Sequence, residues 1–399
     1  MQILALNTGS SSLKFAIYDV HPPSGSESEA TAHCVRQRHG VVEGIGRSPS
    51  TIRLVGSDGE TRSMEAELAD GRAALSWIIA ELERDGVWND VAVVGHRFVH
   101  GGREYREPVL VTPLVRATLE KLIPLAPAHL PGELAALDAI ARARPDTPQV
   151  ACFDTAFHAG LPTEARLYGI PRQFADEGVV RYGFHGLSYE YVTEELRGSG
   201  QLGARTIVAH LGNGASLAAM AHGRSVDTSM GFTPMGGVVM STRSGDIDPG
   251  ILLYLLNERS MPPARLAATV RSEGGLLGIS GTASDMRDLL ARSPTDRRAA
   301  EAVAVFCYQI RKCIGAYMAV LGGLDTLVFT GGIGENSPEI RERVCDPLGC
   351  FGIRLDAQAN AAGSRIISGP GSPVTVHVIR TDEESVIARQ TLRVVLRPG

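Results

Sequence analysis

The fold of this chain is indicated first by the stretch His210-Leu-Gly-Asn-Gly-Ala-Ser216. Apolar residues precede it from Thr206 to Ala209 and follow it as far as Met220, so the pattern predicts two strands joined by the turn Gly212-Asn-Gly214. A glycine-rich turn lets backbone N–H groups approach an anion closely. We therefore predict a β-hairpin that contacts phosphate.

The same pattern occurs at the amino terminus. Residues Gln2 to Leu6 are apolar, Asn7-Thr-Gly-Ser-Ser-Ser12 has the composition of a turn, and apolar residues return from Leu13 to Tyr18. The identity between the two hairpins is too short to establish a duplication by itself. Two lobes, each with a hairpin that contacts phosphate, explain the repeat most simply.

Two acidic segments follow the second hairpin closely. They are Asp227-Thr-Ser-Met-Gly-Phe-Thr-Pro234 and Thr242-Arg-Ser-Gly-Asp-Ile-Asp-Pro249. The second contains Arg243, which offers a fixed positive charge where phosphoryl oxygens gather. A phosphate-contacting turn beside acids and an arginine indicates phosphoryl transfer, because that chemistry needs positioning and charge neutralisation more than covalent help.

Composition agrees with a soluble protein of two lobes. The chain has 399 residues, which exceeds the usual domain size of about 100–200 residues. Apolar residues make up 44% and charged residues 21%, which allows a large buried core. The net charge is −5 and the basic residues form no concentrated tract, so we expect neither nucleic acid nor a membrane surface as a partner.

The cysteines and the amino terminus predict a cytoplasmic protein. The six cysteines are scattered without a CxxC pair or a zinc-like spacing to histidine, which favours reduced structural thiols. The first apolar run has no basic residue before it, and no stretch reaches the roughly 18 consecutive apolar residues of a membrane span.

Periodicity and breaker residues predict the remaining elements. Besides the two hairpins, strands are expected at 91–94, 150–153, 325–330 and 374–379, and loops with edge strands at 22–58. Helices are expected at 70–85, 113–125, 133–143, 250–258, 284–291 and 297–321, after Gly186, from near Pro338, and after the capping sequence Thr381-Asp-Glu-Glu-Ser385. The first residues of the second lobe are expected near 151.

At this point several longer strings resemble the acetate kinases. They are Asn7-Thr-Gly-Ser-Ser-Ser-Leu-Lys14, His96-Arg-Phe-Val-His-Gly-Gly102, Phe153-Asp-Thr-Ala-Phe-His158, Arg181-Tyr-Gly-Phe-His-Gly186, the 210–249 stretch and Gly332-Ile-Gly-Glu-Asn336. They occur in family order over nearly the whole chain, up to Glu383. The resemblance implies a homodimer with an α/β fold of two duplicated actin-like, ribonuclease H-like βββαβαβα lobes and a cleft between them.

The resemblance also implies that the two lobes have different roles. An N-terminal lobe of residues 1–152 and 384–399 would lie on the acyl-substrate side and be closed by the C-terminal helix. A C-terminal lobe of residues 153–383 would bind the nucleotide and dimerise. The reaction implied is reversible exchange of phosphate between ATP or ADP and acetate or acetyl phosphate, with Mg²⁺ as the cofactor and Mn²⁺ as a substitute.

The resemblance assigns catalytic and metal roles to five residues. Arg243 and His185 correspond to the pair that stabilises the transferring phosphoryl group, and Asp154 corresponds to a catalytic acid near the metal. Asn7 and Glu383 correspond to Mg²⁺-associated positions and offer oxygen donors to a hard cation. Taken alone, a strand-end Asp is more typical of a turn or a cap, His185 is more typical of a core or cap histidine, and Glu383 is typical of a helix start.

The acyl pocket is implied by a second group of positions. Arg97 would bind the carboxylate of acetate, and Val99, Phe184 and Pro234 would surround its methyl group. Ala128 stands just before His129, where the family is expected to have Leu. A roomier pocket that accepts propionate and compensation by another side chain are both left open, because one methylene is worth only about 1–3 kcal/mol in such a pocket.

The resemblance assigns the nucleotide to three segments, two of which contain glycines, and to the first hairpin. The ATP phosphates would contact the second hairpin and the adenosine would contact the later segments, with the full set being Ser12, Lys14, His210, Leu211, Gly212, Asn213, Gly214, Asp285, Met286, Arg287, Gly332, Ile333, Gly334, Glu335 and Asn336. Ser10, Ser12 and Lys14 would contact phosphate near Asn7, although a serine-rich hairpin turn is otherwise ordinary. One GxG alone is weak, whereas three such segments in this order are specific.

An acetate kinase is therefore the expected function, and other functions are kept for comparison. Within the same class, a propionate kinase or another short-chain carboxylate kinase would differ in the ratio of kcat/KM values. From another class, the chain could be an actin-like ATP-binding module without catalysis, or a plain ATPase. Trapping of an acyl phosphate separates these alternatives from the kinase.

Overall fold

The computed structural model describes residues 1–9, 11–21 and 33–397. The chain divides into two compact units, one formed by Met1–Phe157 with the segment from Asp382 onward and the other by His158–Thr381. The sequence placed the boundaries after residues 152 and 383. The difference is small because Asp154 still hydrogen-bonds to the first unit through Phe98, and because Asp382 caps the C-terminal helix.

The first unit begins with five strands and a helix. In chain order its elements are β1 Gln2–Thr8, β2 Ser12–His21, β3 His33–Glu43, β4 Ser50–Val55, β5 Thr61–Ala66, α1 Gly71–Arg84, β6 Val91–Phe98, β7 Val109–Leu110, α2 Pro113–Lys121, α3 Leu130–Ala143 and β8 Gln149–Phe153. Short 3₁₀ turns lie at Trp88–Asp90 and Ile123–Leu125.

The second unit is richer in helices, and the chain returns to the first unit at its end. The elements are α4 Thr163–Arg166, α5 Arg172–Asp176, α6 Gly186–Gly198, β9 Arg205–Leu211, β10 Ala215–Ala221, β11 Arg224–Thr228, α7 Pro249–Asn257, α8 Pro263–Arg271, α9 Gly275–Ser280, α10 Met286–Arg292, α11 Arg297–Leu321, β12 Thr326–Thr330, α12 Gly331–Asn336, α13 Pro338–Cys345, α14 Ala357–Ala362, β13 Thr375–Val378 and finally α15 Glu383–Leu396.

Each unit contains one sheet, and the two sheets share a central strand order. The first sheet runs β5-β4-β3-β2-β1-β6-β8-β7 and the second runs β11-β10-β9-β12-β13. In both, three antiparallel strands are followed by two strands parallel to the first. This repeated βββαβαβα pattern confirms the predicted actin-like α/β fold, with β4, β5 and β7 as additions at the edges of the first sheet.

Burial explains why the inner strands have continuous apolar sequences. Strand β1 is buried from Ile3 to Thr8, and β10 is buried from Ala215 to Met220. Strands covered on both faces lose the alternation that is typical of a half-exposed sheet. Helix α15 packs on β1, β6 and β8, while α11 packs on β9 and β10. The carboxyl ends of the parallel strands are consequently fixed within each unit, and ligands bind at such ends in α/β sheets.

Most predicted elements are confirmed, and the differences have local causes. The segment expected to contain loops and edge strands, 22–58, includes strands β3 and β4, while its part 22–32 lies outside the described residues. Helix α3 begins at Leu130 rather than at Glu133, because Pro131 is tolerated in a first helical turn. The glycine-rich segment after β12 is itself the short helix α12, and α13 begins at Pro338 as predicted.

Among the described residues, helix α11 is long and apolar enough by length and composition to cross a membrane. It does not contradict the expectation from the sequence, because Glu301, Arg311 and Lys312 interrupt its apolar residues. The core helix of a soluble protein passes the same test, and Val303, Phe306 and Ile310 of α11 are buried in the second unit. The finding is therefore weak support for a membrane span.

Two buried histidines predict how the stability of the fold depends on pH. Burial lowers the pKa of both His96 and His158 to about 4, although hydrogen bonds with Gln149 and with the Phe184 carbonyl oppose the shift. The unfolded chain, with a histidine pKa of about 6.5, binds more protons at pH values between these limits. The stability contributed by the neutral rings is present above about pH 6.5 and is lost as the pH falls to about 4, up to ~3 kcal/mol for each ring.

Urea unfolding at about pH 7.5 and pH 5 measures this effect. We expect the midpoint to fall on acidification, and His96→Gln to make the fall smaller. The exposed His21 provides the control, since His21→Gln should keep the pH dependence of the wild type. An equal pH dependence in His96→Gln and the wild type would contradict the assignment.

Candidate active site

Three residues meet where the parallel strands of the first unit end. Asn7 lies near the end of β1, Arg97 near the end of β6, and Asp154 directly after β8. Arg97 donates from Nη2 to Asp154 Oδ2 at 2.6 Å and from Nε to both carboxylate oxygens at 3.2 Å. Its Nη1 donates to Asn7 Oδ1 at 3.4 Å. The fork geometry of the guanidinium thus fixes a bidentate ion pair.

This ion pair is almost removed from solvent. The side chains of Arg97 and Asp154 are 12% and 1% exposed. Burial acts to lower the pKa of Arg97, but the charge and the hydrogen bonds of Asp154 outweigh it and raise that pKa above its ordinary value. Arg97 is therefore cationic, and its Nη1 carries a second N–H that Asn7 does not use. That donor suits a small carboxylate.

Two glutamates of α15 complete what we call the acid–arginine cluster, namely Asn7, Arg97, Asp154, Glu383 and Glu384. Asn7 Nδ2 donates to Glu383 Oε2 and to Glu384 Oε1, both at 2.8 Å. Burial raises the pKa of Glu384, the positive charge of Lys14 opposes the shift, and the neighbouring Glu383 adds to it. Two adjacent acids held by one amide concentrate negative charge that a cation would neutralise.

The oxygen donors of this cluster fit a magnesium ion. Among the residues that the structure describes, no group of three or more His, Cys, Asp or Glu side chains is arranged to hold a metal. Mg²⁺ is usually held by one or two carboxylates and keeps several waters or substrate phosphates as its other ligands. Asn7, Glu383 and Glu384 supply that limited set. The sequence had singled out Glu383 without Glu384.

The proposed acyl-pocket residues are divided between the two units. Val99 lies just beyond β6 and is buried in the first unit, whereas Ala128 is exposed in the turn before α3. Phe184 and Pro234 are buried in the second unit. The Val99 N–H is bonded to Glu133, and the Pro234 carbonyl accepts from Arg243 Nη1 at 2.5 Å.

A second group of residues meets at the end of β9 and the start of β10. His185 precedes α6 in the left-handed conformation with a φ of 59°, which costs of order 1–3 kcal/mol for a residue other than glycine. Its Nδ1 lies 2.8 Å from Ser216 Oγ, which is also 2.5 Å from the Tyr189 hydroxyl. The contact with Ser216 helps to hold His185 in this unfavourable conformation, and such backbone strain is common at functional positions.

The rings of His185 and His210 stack on each other. Their centroids are 4.2 Å apart at an angle of 27°. His210 Nδ1 is in turn 2.8 Å from Ser188 Oγ, so each imidazole has one nitrogen fixed by a hydroxyl. The two rings are therefore oriented by neighbouring helix and strand residues rather than by solvent.

Arg243 approaches the same turn at Gly214. A Cβ atom added there would lie 2.9 Å from Arg243 Nη2 and 3.3 Å from His185 Nε2. Only glycine leaves room for both cationic or hydrogen-bonding groups above this backbone. We call His185, His210, Gly212–Gly214, Ser216 and Arg243 the histidine–arginine cluster. It combines a glycine turn, a fixed guanidinium and directed imidazoles, which suits phosphoryl oxygens.

The short helix α12 lies against this turn. Gly331 has a φ of +77°, and a Cβ there would lie 2.8 Å from the Leu211 carbonyl oxygen. The backbone of Gly332 comes close enough that a Cβ on Gly212 would stand 3.9 Å from its nitrogen. Glu335 Oε1 accepts from the N–H of Gly331, 2.9 Å away. Two of the three predicted nucleotide segments are thus neighbours.

The third nucleotide segment is explained structurally by helix capping. Asp285 caps α10, accepts from the Arg287 backbone N–H at 2.8 Å and pairs with its guanidinium. Those bonds lower the pKa of Asp285. Met286 is buried, whereas the Arg287 side chain is exposed. Contact of this segment with adenosine stays a prediction.

The β1–β2 hairpin of the first unit contains the predicted phosphate contacts Ser12 and Lys14. The Ser12 carbonyl accepts from the Gly9 N–H at 2.8 Å and closes the turn, while Lys14 is exposed on β2. Ser10 lies outside the described residues. In α12, Asn336 Nδ2 donates to the Gly332 carbonyl at 2.9 Å, and contact of Ile333, Gly334 and Asn336 with the nucleotide stays a prediction.

Sequence reasoning missed four residues that hold the clusters in place. Glu384 adjoins the predicted Glu383, Ser216 ends the quoted glycine turn, and Tyr189 lies three residues beyond the quoted string that ends at Gly186. Two adjacent acids at a helix start, and a serine that ends a glycine turn, were signals available in the sequence. Glu133 gave no such signal, because its partner Val99 lies 34 residues away.

The duplicated sheet and its paired clusters of charged residues define a class, the actin-like phosphotransferases with two α/β lobes. A model of the acetokinase family matches residues 2–389. This chain belongs to the acetokinase family.

Relatives and solved structures agree with that assignment. An acetate kinase of Rhodopseudomonas palustris (strain ATCC BAA-98 / CGA009) is 45% identical over 400 residues, covering 98% of each chain. Among solved structures, Porphyromonas gingivalis acetate kinase is 38% identical with a TM-score of 0.83 and 99% of each chain covered. A propionate kinase from Francisella tularensis is 34% identical with a TM-score of 0.88, covering 98% of this chain and 99% of its own.

Proposed function

We propose that this chain catalyses the reversible transfer of the γ-phosphoryl group of ATP to acetate, giving acetyl phosphate and ADP. The observation that carries the proposal is the approach of Arg243 and His185 to the glycine turn at Gly214. A rigid guanidinium and an imidazole beside a glycine turn are suited to the equatorial oxygens of a phosphoryl group in transfer.

The acid–arginine cluster supplies the acceptor side of the proposed reaction. Arg97 binds the carboxylate through Nη1 while Asp154 holds the rest of the guanidinium. Val99, Phe184 and Pro234 are the apolar residues proposed to contact the acyl chain.

The chemical step needs little proton transfer. An oxygen of acetate attacks the γ-phosphorus in line, the bond from that phosphorus to the β,γ-bridging oxygen breaks, and ADP leaves with the electron pair. Acetate is already ionised near neutral pH, so no strong general base is required. Arg243 and His185 stabilise the charge that is spread over the equatorial oxygens.

Magnesium is the cofactor that the family implies, with Mn²⁺ as a possible replacement. Bound Mg²⁺ would neutralise charge on the ATP phosphates. Asn7, Glu383 and Glu384 are the residues that would hold it, and Asn7 orients both carboxyl groups through its amide. Gly212–Gly214 would contact the ATP phosphates, and α12, which lies against this turn, would also contact the nucleotide.

A propionate kinase is the second candidate. It is favoured by the exposed Ala128, which leaves a small side chain at a predicted pocket position, and by the similarity to the Francisella tularensis propionate kinase. Purified protein with Mg-ATP should be incubated with acetate, propionate or butyrate at matched concentrations, and the acyl phosphate trapped with hydroxylamine. Acetate dominance supports the proposal, whereas propionate dominance favours the second candidate.

The same experiment separates the remaining alternatives. Release of phosphate at equal rates with and without any acid would indicate a plain ATPase. Binding of ATP without product from any acid would indicate an inactive actin-like module. Both results would contradict the proposed function.

We further propose a cytoplasmic homodimer in which α7 forms part of the interface. None of the nine residues of α7 is buried, although the helix is strongly apolar and exposes Ile251, Leu253 and Tyr254. A contiguous apolar surface of this kind is typical of a protein interface. A symmetric dimer would bury the same helix from each protomer.

Leu253→Asp is expected to shift the protein from dimer to monomer in sedimentation velocity, because it places two charges in the proposed interface. Leu114→Asp on α2 is the control, since Leu114 is an even more exposed apolar residue that is not part of α7. A monomeric wild type, or a Leu253→Asp protein that stays dimeric, would contradict the proposal.

A further inference from the structure

A buried acid lies beside the acid–arginine cluster without belonging to it. Glu133 is in the first turn of α3 and is 1% exposed. Among the described residues it forms no ion pair within 4 Å. Its two carboxyl oxygens instead lie 3.2 and 3.1 Å from the backbone nitrogen of Val99. Burying an acid is costly, so this arrangement calls for a physical reason.

The backbone that Glu133 holds connects two parts of the proposed substrate site. Val99 comes two residues after Arg97 and directly after the end of β6. Beyond Phe98 the chain no longer has the ladder of β6 to fix it, so the N–H of Val99 requires another acceptor. Glu133 provides that acceptor from a neighbouring helix and fixes the path of the chain between Arg97 and the glycines that follow.

The charges and the burial around Glu133 favour the protonated, neutral form of its carboxyl group. Burial raises the pKa of Glu133 to about 8, against the opposing effects of Arg97 and of the Val99 N–H, and Asp154 adds to the increase. At neutral pH the carboxyl group is then mainly protonated. It accepts from Val99 without placing a second full negative charge beside Arg97, which already balances Asp154.

We propose that Glu133 is a positioning residue of the carboxylate-substrate site: its buried carboxyl group holds the Val99 amide and so sets the apolar contact of the acyl chain relative to Arg97. This inference rests on the proposed carboxylate kinase function. It assigns Glu133 to substrate affinity and chain-length selection, and it leaves phosphoryl transfer to other residues.

The test compares E133A, E133Q and E133D with the wild type by steady-state kinetics. We expect E133A to raise the KM for acetate ~10-fold, to leave the KM for ATP within ~2-fold, and to change the ratio of kcat/KM for acetate and propionate. E133Q should restore the KM for acetate to within ~3-fold of the wild type, because a neutral amide keeps an acceptor for the Val99 N–H.

Glu81 provides the matched control. It is 2% exposed on α1 of the same unit and pairs with Arg62 and Arg84, none of which has a proposed role. E81A should lower thermal stability and leave the KM for acetate and the acid preference unchanged. A purely structural role of Glu133 would give the same result for E133A as for E81A, and that result would overturn the inference.

The remaining outcomes are also decisive. If E133A does not fold, E133D carries the test, because it withdraws the carboxyl group from Val99 by one methylene: a raised KM for acetate supports the inference and an unchanged one overturns it. Loss of affinity for ATP and acetate alike would overturn it as well. Failure of the wild type to form any acyl phosphate would instead contradict the proposed function, which keeps the two failures distinct.

Discussion

Arg243→Ala is expected to lower kcat by ~10³-fold while the protein stays folded, which is the scale seen when an arginine that stabilises a transferring phosphoryl group is removed. Arg243 approaches Gly214 together with His185, and its Nη1 is fixed by the Pro234 carbonyl. The guanidinium is thus held ready before the substrate binds. A loss confined to the transition state lowers kcat and kcat/KM together.

Steady-state kinetics and circular dichroism check this expectation. Arg243→Lys should recover only part of the activity, because an ammonium group cannot reproduce the planar fork. Arg265→Ala on α8 is the control, since Arg265 is an exposed arginine of the same unit that pairs with Glu273. A folded Arg243→Ala protein with turnover near that of Arg265→Ala would remove Arg243 from its proposed role.

Asp154→Ala is expected to destabilise the first unit by ~3–5 kcal/mol and to abolish activity, since it leaves the buried charge of Arg97 without its partner. The two side chains share a bidentate contact with a shortest distance of 2.6 Å and are nearly inaccessible to solvent. Asn7 Oδ1, at 3.4 Å, is too weak an acceptor to replace the carboxylate.

Urea unfolding of single and double variants tests the physical reason. Replacing both partners, as in Arg97→Met with Asp154→Ala, should recover much of the lost stability and none of the activity, because no uncompensated charge is left. Asp138→Ala provides the control: Asp138 pairs with Arg116 but is 32% exposed, so the expected loss is below ~1 kcal/mol. Equal losses for Asp154→Ala and Asp138→Ala would contradict the account.

Much of the fold could be predicted because its determinants are local. The turns at Asn7–Ser12 and Gly212–Gly214 combine glycine or serine with flanking apolar strands, and both hairpins form as expected. The repeat of that pattern anticipated two sheets with the same central order. The capping sequence Thr381–Ser385 was also a local signal, and its Asp382 caps α15.

The elements that were predicted only in outline, or not at all, depend on distant contacts or have short lengths. Strands β3 and β4 were expected as edge strands without bounds and β5 was not predicted; they extend the first sheet through pairing with one another, and their sequences mix polar with apolar residues. Helix α12 was not predicted, because its six residues are too few to show a helical periodicity and three of them are glycines. In such segments tertiary pairing overrides local propensity.

The sequence predicted which residues belong to the candidate site, but it did not predict the contacts between them. The strings around Arg97, Asp154 and Arg243 were recognisable, whereas the bidentate contact of Arg97 with Asp154 joins residues 57 positions apart. The role of Glu133 could not be predicted either, because its hydrogen-bond partner Val99 lies 34 residues away in the sequence. The exposure of Ala128 likewise follows from the turn before α3 and could not be read from its neighbours.

The most direct measurement of the central claim follows the oxygen atoms of acetate. The protein is incubated with Mg-ATP and acetate labelled with ¹⁸O in both carboxyl oxygens, and the acetyl phosphate is analysed by phosphorus NMR. Direct attack of the carboxylate on the γ-phosphorus predicts that the oxygen bridging carbon and phosphorus is ¹⁸O. Formation of inorganic phosphate alone, or of acetyl phosphate without label at that bridge, would contradict the account.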